Sequence, residues 1–175
     1  MPVVEVVRTY LELRSLEQLR PARLDDPAVR IVHHESIDPA HYRHLYRIVG
    51  GPWQWTDRRA WSDERLAAHL SRDAISIFEC VVGDESAGFF ELEAHPDGAV
   101  EIAYFGLAGP FMGRGVGKAL LSCAAEEAFA CGATRVWLHT CTLDSPRALP
   151  NYQARGFTPF NRETYVVQLP PPTAS

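Results

Sequence analysis

Phe105-Gly-Leu-Ala-Gly-Pro-Phe-Met-Gly-Arg-Gly-Val-Gly-Lys-Ala-Leu-Leu121 is the stretch that decides the fold. An alternating apolar segment ends, five glycines follow from Gly106 to Gly117, and the apolar period then changes. Val116, Leu120, Cys123, Ala124 and Phe129 recur at helical spacing until Gly132. This predicts a strand, a glycine-rich turn and a helix from about Gly115 to Ala130. Glycine lets such a turn bend sharply and lets the backbone approach a ligand with no side chain between them. Unpaired N–H groups at the helix start, with the positive end of its dipole, make an anion site suited to a phosphate or diphosphate. Two common phosphate loops fail on count. A nucleotide P-loop needs glycine where Met112 stands and Ser/Thr where Ala119 stands, and the dinucleotide fingerprint needs glycine where Lys118 or Leu120 stands.

Upstream, three strands are predicted close together: Ile75 to Val82, Ala87 to Glu93, and Ala99 to Leu107. Gly83-Asp-Glu-Ser86 and His95-Pro-Asp-Gly98 join them as hairpins. Before them come a strand over Val3 to Leu13, a helical turn around Ser15 to Leu19, and a strand over Ala28 to His33. Asp38-Pro39 opens a helix with the stripe Tyr42, Leu45, Tyr46 and Val49, stopped at Gly50-Gly51-Pro52. A second helix starts at Ser62-Asp63-Glu64. Downstream, a strand over Arg135 to Cys141, a short helix over Pro146 to Ala154 and one or two strands over Phe157 to Leu169 complete the pattern. The expected class is α/β (α+β): a mixed, mostly antiparallel central sheet of about six to seven strands flanked by helices. A single domain is expected over residues 1–169, with Pro170 to Ser175 as a flexible proline-rich tail.

Composition narrows the function. The 175 residues, 46% apolar and 22% charged, are globular in balance, which excludes a disordered chain or a coiled coil. No apolar run is long enough for a membrane span, and charges interrupt the apolar start, so neither a membrane partner nor a secretory signal is expected. A net charge of −5 argues against a nucleic-acid partner. The four cysteines, Cys80, Cys123, Cys131 and Cys141, show no CxxC and no Cys/His metal spacing, so reduced thiols in a cytoplasm and no metal are expected. The 17 basic residues contain one lysine, Lys118, placed where an ammonium can reach a phosphate on the glycine turn.

The segment Gly113-Arg-Gly-Val-Gly-Lys-Ala-Leu-Leu121 resembles the signature loop of the GNAT superfamily of N-acetyltransferases, usually Gln/Arg-x-x-Gly-x-Gly/Ala. Gly115 and Gly117 fit, while Met112 departs from the polar first position, at the cost of one side-chain contact but not of the backbone cradle. After the next strand, Ala148-Leu-Pro-Asn-Tyr152-Gln-Ala-Arg-Gly156-Phe157 matches the same superfamily's Ala-x-x-x-Tyr-x-x-x-Gly-Phe. The pattern from His139 to Phe157 is similar to a poorly characterised bacterial branch. The two halves together span about a third of the chain.

The resemblance implies a GNAT-like sheet and direct acetyl transfer from acetyl-coenzyme A, as co-substrate, to an amine. It implies a cofactor cradle of Phe105, Gly106 and Leu107 at the strand end, Met112, Gly113, Arg114 and Gly115 in the turn, and Val116, Gly117, Lys118 and Ala119 in the first helical turn, with Asn151 on the later helix. Tyr152 is implied as proton donor to the departing thiolate, and the backbone N–H of Leu107 as oxyanion donor. Such chemistry needs a neutral amine, hence a base. Glu101, which shares strand parity with Ala103, Phe105 and Leu107, is one candidate; Glu91 and His139 are others, and water alone is a fourth possibility. Cys141 reads as a small buried hydrophobe. The segment Gly50 to Trp61 is implied to line the acceptor pocket, where Trp53 and Trp55 either form an aromatic wall for a cation or ring or pack under the loop. The expected acceptor is a small-molecule or peptide amine, and the expected state a monomer or homodimer. A non-catalytic coenzyme A-binding sensor is the alternative reading, and a nucleotide kinase is disfavoured by the failed P-loop count.

Overall fold

The computed structural model describes residues 1–169, so the expected proline-rich tail (170–175) lies outside the described residues. Alternating residues at the start form β1 (Val3–Leu13), and a 3-10 turn (Leu16–Gln18) leads to β2 (Val29–His34). Asp38 caps α1 (Pro39–Gly50), its side chain accepting from the Ala40 N–H at 2.8 Å, and the stripe Tyr42, Leu45, Tyr46 and Val49 is buried. Ser62 caps α2 (Asp63–Leu70) in the same way, through the Arg65 N–H at 3.1 Å. Then come β3 (Ile75–Val82), β4 (Glu85–Ala94), β5 (Ala99–Leu107), α3 (Val116–Ala130), β6 (Arg135–Cys141), α4 (Ala148–Ala154) and a single last strand, β7 (Thr158–Gln168).

The seven strands form one sheet in the order β2-β3-β4-β5-β6-β1-β7. Every neighbouring pair is antiparallel except β5 and β6. The first strand is therefore an interior one, between β6 and β7, and its pairing closes the C-terminal half of the sheet. One face packs on α3, with Phe78, Phe90, Ile102, Leu120, Leu121, Ala124 and Leu138 in a common core. The opposite face packs on α1 and α2 through Tyr42, Leu45, Val49, Leu66 and Phe89. Truncating Leu120 or Leu121, both essentially unexposed, to alanine removes about 2–5 kcal/mol of packing.

Two irregularities in β5 set up the site. Its register against β4 slips between Glu91/Tyr104 and Leu92/Ile102, so Ala103 is an extra residue and the strand bends. Its parallel pairing with β6 covers only Ala99, Val100 and Glu101, opposite Arg135, Val136 and Trp137. Beyond Glu101 the two strands part and leave a gap in the sheet.

Candidate functional site

The backbone amides of the glycine turn are left without partners among the described residues. The N–H of Met112 bonds to Gly109 O at 3.2 Å, and the next bonded amide is that of Ala119, to Gly115 O at 3.4 Å. Between them, no backbone N–H from Gly113 to Lys118 donates to a described residue. Six amides in a row would be costly to leave unpaired in a closed interior, but here they border a cleft of about 1240 Å³ lined by Met112, Gly113, Gly115, Gly117 and Lys118. Gly113 and Gly115 hold φ of +78° and +81°, the left-handed region that glycine alone enters without strain, and Gly115 is the N-cap of α3. The amides and helix dipole thus face the same open space.

The expected cradle residues divide by role. Met112, Gly113, Gly115, Gly117 and Lys118 line the cleft with Phe105, Gly106 and Leu107 of β5. Val116 is instead buried in the core, Ala119 is half-buried in the first turn of α3, and the Arg114 guanidinium folds over the Phe111 ring, 5.6 Å from its centroid. These three meet a ligand through backbone alone or not at all. Asn151 on α4 donates to Gly117 O at 3.4 Å, and its Oδ1 is buried with no partner among the described residues. Arg147 and Arg155, which the sequence reading did not single out, also line the cleft. A Cβ on Gly113 would come within 3.0 Å of the Arg147 guanidinium. Their signal was available as one arginine just before the Tyr152 motif and one inside it, next to Gly156.

At the strand gap, Ala108 N–H donates to Ala87 O at 2.8 Å, so the N–H of the preceding residue, Leu107, points the other way, away from β4 and into the gap. Tyr152 stands on the same cleft, packed edge-on to Phe105 and Phe157 at centroid distances of 6.1 and 6.2 Å. Burial, with Asp144 adding, pushes its phenol well above the usual range, so it is a protonated donor at neutral pH. Cys141 lines the cleft too, and burial raises its thiol, which keeps it protonated and a poor nucleophile.

The three proposed bases are placed differently. Glu91 is completely buried. It takes both Arg58 nitrogens (2.5 and 2.8 Å), the Tyr42 hydroxyl (2.7 Å) and His69 Nε2 (3.0 Å). Burial alone would raise its pKa, but hydrogen bonds from His69, Arg58 and Tyr42 and the Arg58 charge outweigh it and hold the carboxyl below the usual range. With both oxygens engaged and no face on the cleft, Glu91 is a structural carboxylate. Glu101 lines the cleft and hydrogen-bonds His95 Nε2 at 3.1 Å; burial, helped by Glu93 and Glu91, raises its pKa against the opposing pull of His95. His139 is exposed to the cleft, where the surrounding walls and then Arg8 lower its pKa. The parity expected for Glu101 needs correction. Ala103 is the bulge residue, so Glu101 shares its face with Tyr104, while Phe105 and Leu107 return to the α3 side.

The acceptor segment is held by residues that the sequence reading missed. Arg58, 8% exposed, pairs with Glu91 and lies over the rings of Tyr104 (4.5 Å), Trp61 (5.0 Å) and Tyr42 (5.7 Å). Trp55 is half-buried against Tyr104, Tyr46 and Phe89, at 5.0, 5.5 and 6.1 Å, and so is chiefly a packing residue with one edge on the cleft. Trp53, also half-buried, lines the cleft with no aromatic partner among the described residues. The structure therefore gathers Glu101, His139, Tyr152, Trp53 and Trp55 around one cleft with the glycine cradle and leaves Glu91 behind the wall.

The family model described as Acetyltransferase (GNAT) family matches residues 42–157. Among solved structures, a GCN5-related N-acetyltransferase from Kribbella flavida superposes with a TM-score of 0.66 at 18% identity, over 94% of this chain and 58% of that one. A GCN5-related N-acetyltransferase from Sphaerobacter thermophilus gives 0.60 at 18% identity, over 95% and 51%. An aminoglycoside acetyltransferase from an uncultured soil metagenomic sample gives 0.63 at 16% identity, over 74% and 88%. This chain thus spans only about half to three-fifths of the length of the first and second of these, and at such identities the likeness is one of fold. No curated protein matches the chain in sequence. Among the described residues, no helix is long and apolar enough to cross a membrane.

Proposed function

The chain belongs to the acetyltransferase (GNAT) family, and from that premise we propose that it is an acetyl-coenzyme A-dependent N-acetyltransferase acting on a primary amine of a small molecule or peptide. The observation that carries this reading is the run of unbonded amides from Gly113 to Lys118, opening on the same cleft as Tyr152 and Glu101. A diphosphate fits those donors and the start of α3, with Lys118 and Arg147 adding positive charge. The orphaned Asn151 Oδ1 is a further acceptor awaiting a donor at the cradle.

Acetyl-coenzyme A supplies an acetyl thioester. Glu101, its pKa raised by burial, accepts in its ionised form the proton of the incoming ammonium directly or through water, so that the amine nitrogen can bond to the carbonyl carbon. His139 is the second candidate for that proton. The Leu107 N–H donates to the carbonyl oxygen as charge grows there. Tyr152 gives its proton to sulfur as the C–S bond breaks, and the second proton lost from the amine nitrogen as the amide forms restores the phenol through solvent. Trp53 and Trp55 offer ring surface beside the amine.

The test is a panel of amines, including aminoglycosides, polyamines and peptides, followed by free thiol release from acetyl-coenzyme A. Thiol release that depends on one amine class supports the reading. Tight coenzyme A binding with no release by any amine replaces it with the sensor reading, and failure to bind coenzyme A removes both.

A further inference from the structure

On the α1 side of the sheet, away from the cleft, two imidazoles converge on one buried carboxylate oxygen. His34 Nε2, from β2, lies 2.6 Å from Glu79 Oε2, and His41 Nε2, from the first turn of α1, lies 2.8 Å from the same atom. Glu79 itself is 4% exposed. Its other oxygen accepts from the Ser86 hydroxyl at 2.5 Å, which fixes the carboxylate plane.

The contrast with Glu91 on the next strand shows what is missing. Both carboxylates point toward α1, and a buried carboxylate needs a compensating cation. Glu91 has the Arg58 guanidinium. Glu79 has two imidazoles and a hydroxyl, and no lysine or arginine partner among the described residues. Two imidazole nitrogens and a carboxylate oxygen, all within 4.8 Å of one another, are the donor set of a borderline-soft divalent ion. Ser86 is then the outer partner that orients the carboxylate ligand.

We propose that His34, His41 and Glu79 bind one divalent transition-metal ion of the zinc class, with solvent completing the coordination. Bond lengths near 2.0–2.2 Å in a tetrahedral set place ligand atoms about 3.4 Å apart, so His34 and His41 must retreat from Glu79 by roughly 0.8 and 0.6 Å. His34 and His41 are 24% and 39% exposed and have room to do so. The ion ties together β2, the start of α1 and β3, and so clamps the helix whose Tyr42 and Tyr46 support the acceptor end of the cleft. Neither the residues nor the spacing overlap the acetyl-transfer site, and the sequence interval from His41 to Glu79 hides the cluster from spacing rules.

The experiment uses the full chain, stripped with a chelator and titrated with zinc chloride against a chromogenic competitor. Cobalt(II) absorption serves as a second readout of coordination. The expected result is one equivalent taken up per chain, with thermal unfolding raised by about 5 °C at saturating zinc. Affinity falls at least tenfold in His41→Ala and in His34→Gln and is unchanged in His95→Ala, which removes the other carboxylate–histidine cluster (Glu93, His95, Glu101) as the source. No stoichiometric uptake overturns the proposal. So does uptake that His41→Ala leaves intact, or uptake lost only in His95→Ala. His41 is a partly exposed helix residue, so its variant keeps the test valid if His34→Gln fails to fold.

Discussion

At the donor end of the cleft, between Gly113 and Lys118, a ligand meets backbone amides that no described residue has claimed. At the acceptor end, between Trp53 and Arg58, it meets side chains, and these are held by partners far away in sequence: Arg58 by Glu91, Trp55 by Tyr104, Tyr46 and Phe89. The first end is made by one continuous stretch and needs only glycines in the right conformations. The second exists only after α1, the loop, β4 and β5 have packed. On the proposed function, the gripping of a diphosphate falls to the local device and discrimination between acceptors to the non-local one.

The largest effect is expected from filling the local device. A side chain on Gly117 starts 3.4 Å from Leu107 Cδ1, so Gly117→Trp projects an indole into the cradle and is expected to abolish coenzyme A binding in calorimetry while the thermal transition stays within a few degrees of wild type. Tyr152→Phe comes next, with a 10²- to 10³-fold fall in kcat and little change in acetyl-coenzyme A affinity. Unchanged turnover would detach the phenol from the chemistry.

Arg58→Met tests the other end. It leaves Glu91 buried without its guanidinium, and the expected cost is about 3–5 kcal/mol in denaturant unfolding, with coenzyme A affinity retained. The pH dependence should change sign as well. In the wild type the depressed Glu91 contributes stability that is present above the ordinary carboxylate value and lost as pH falls through its folded value. In Arg58→Met, burial dominates and raises the carboxyl, so acidification from pH 7 toward 5 stabilises the variant. A parallel loss of stability on acidification in both proteins would contradict the pairing.

Glu101→Gln should have the smallest of these effects, about tenfold in kcat/KM. Because the carboxyl is raised, the wild-type rate climbs with pH through a value above the ordinary range, and the variant loses that limb. A limb that survives assigns the proton to His139, whose depressed pKa also leaves it neutral at pH 7.

The same contrast explains what the sequence made legible. The order and type of the elements followed from alternation, helical stripes and hairpin residues, because each is set by neighbours in the chain. The glycine turn was legible for the same reason, with Gly115 as the N-cap of α3 and Gly117 in its first turn. The single last strand over Thr158–Gln168 and the interior position of β1 depend on pairing across the whole chain, which no local pattern encodes. One extra residue, Ala103, reversed the parity argument for Glu101, since a bulge moves every later side chain to the other face. Glu91 read as a candidate base because a strand carboxylate looks the same whether it meets water or a guanidinium. Arg58, one of 16 arginines, carried no mark of its burial.

The amides of Gly113 to Lys118 can be watched directly. In a ¹⁵N-labelled sample titrated with coenzyme A, the glycine cross-peaks of residues 113, 115 and 117 should shift downfield and saturate together, ahead of any change at Trp53 or Trp55. Saturable binding that leaves those three glycine signals unmoved would mean that the diphosphate is held elsewhere, and the assignment of the cradle would be wrong.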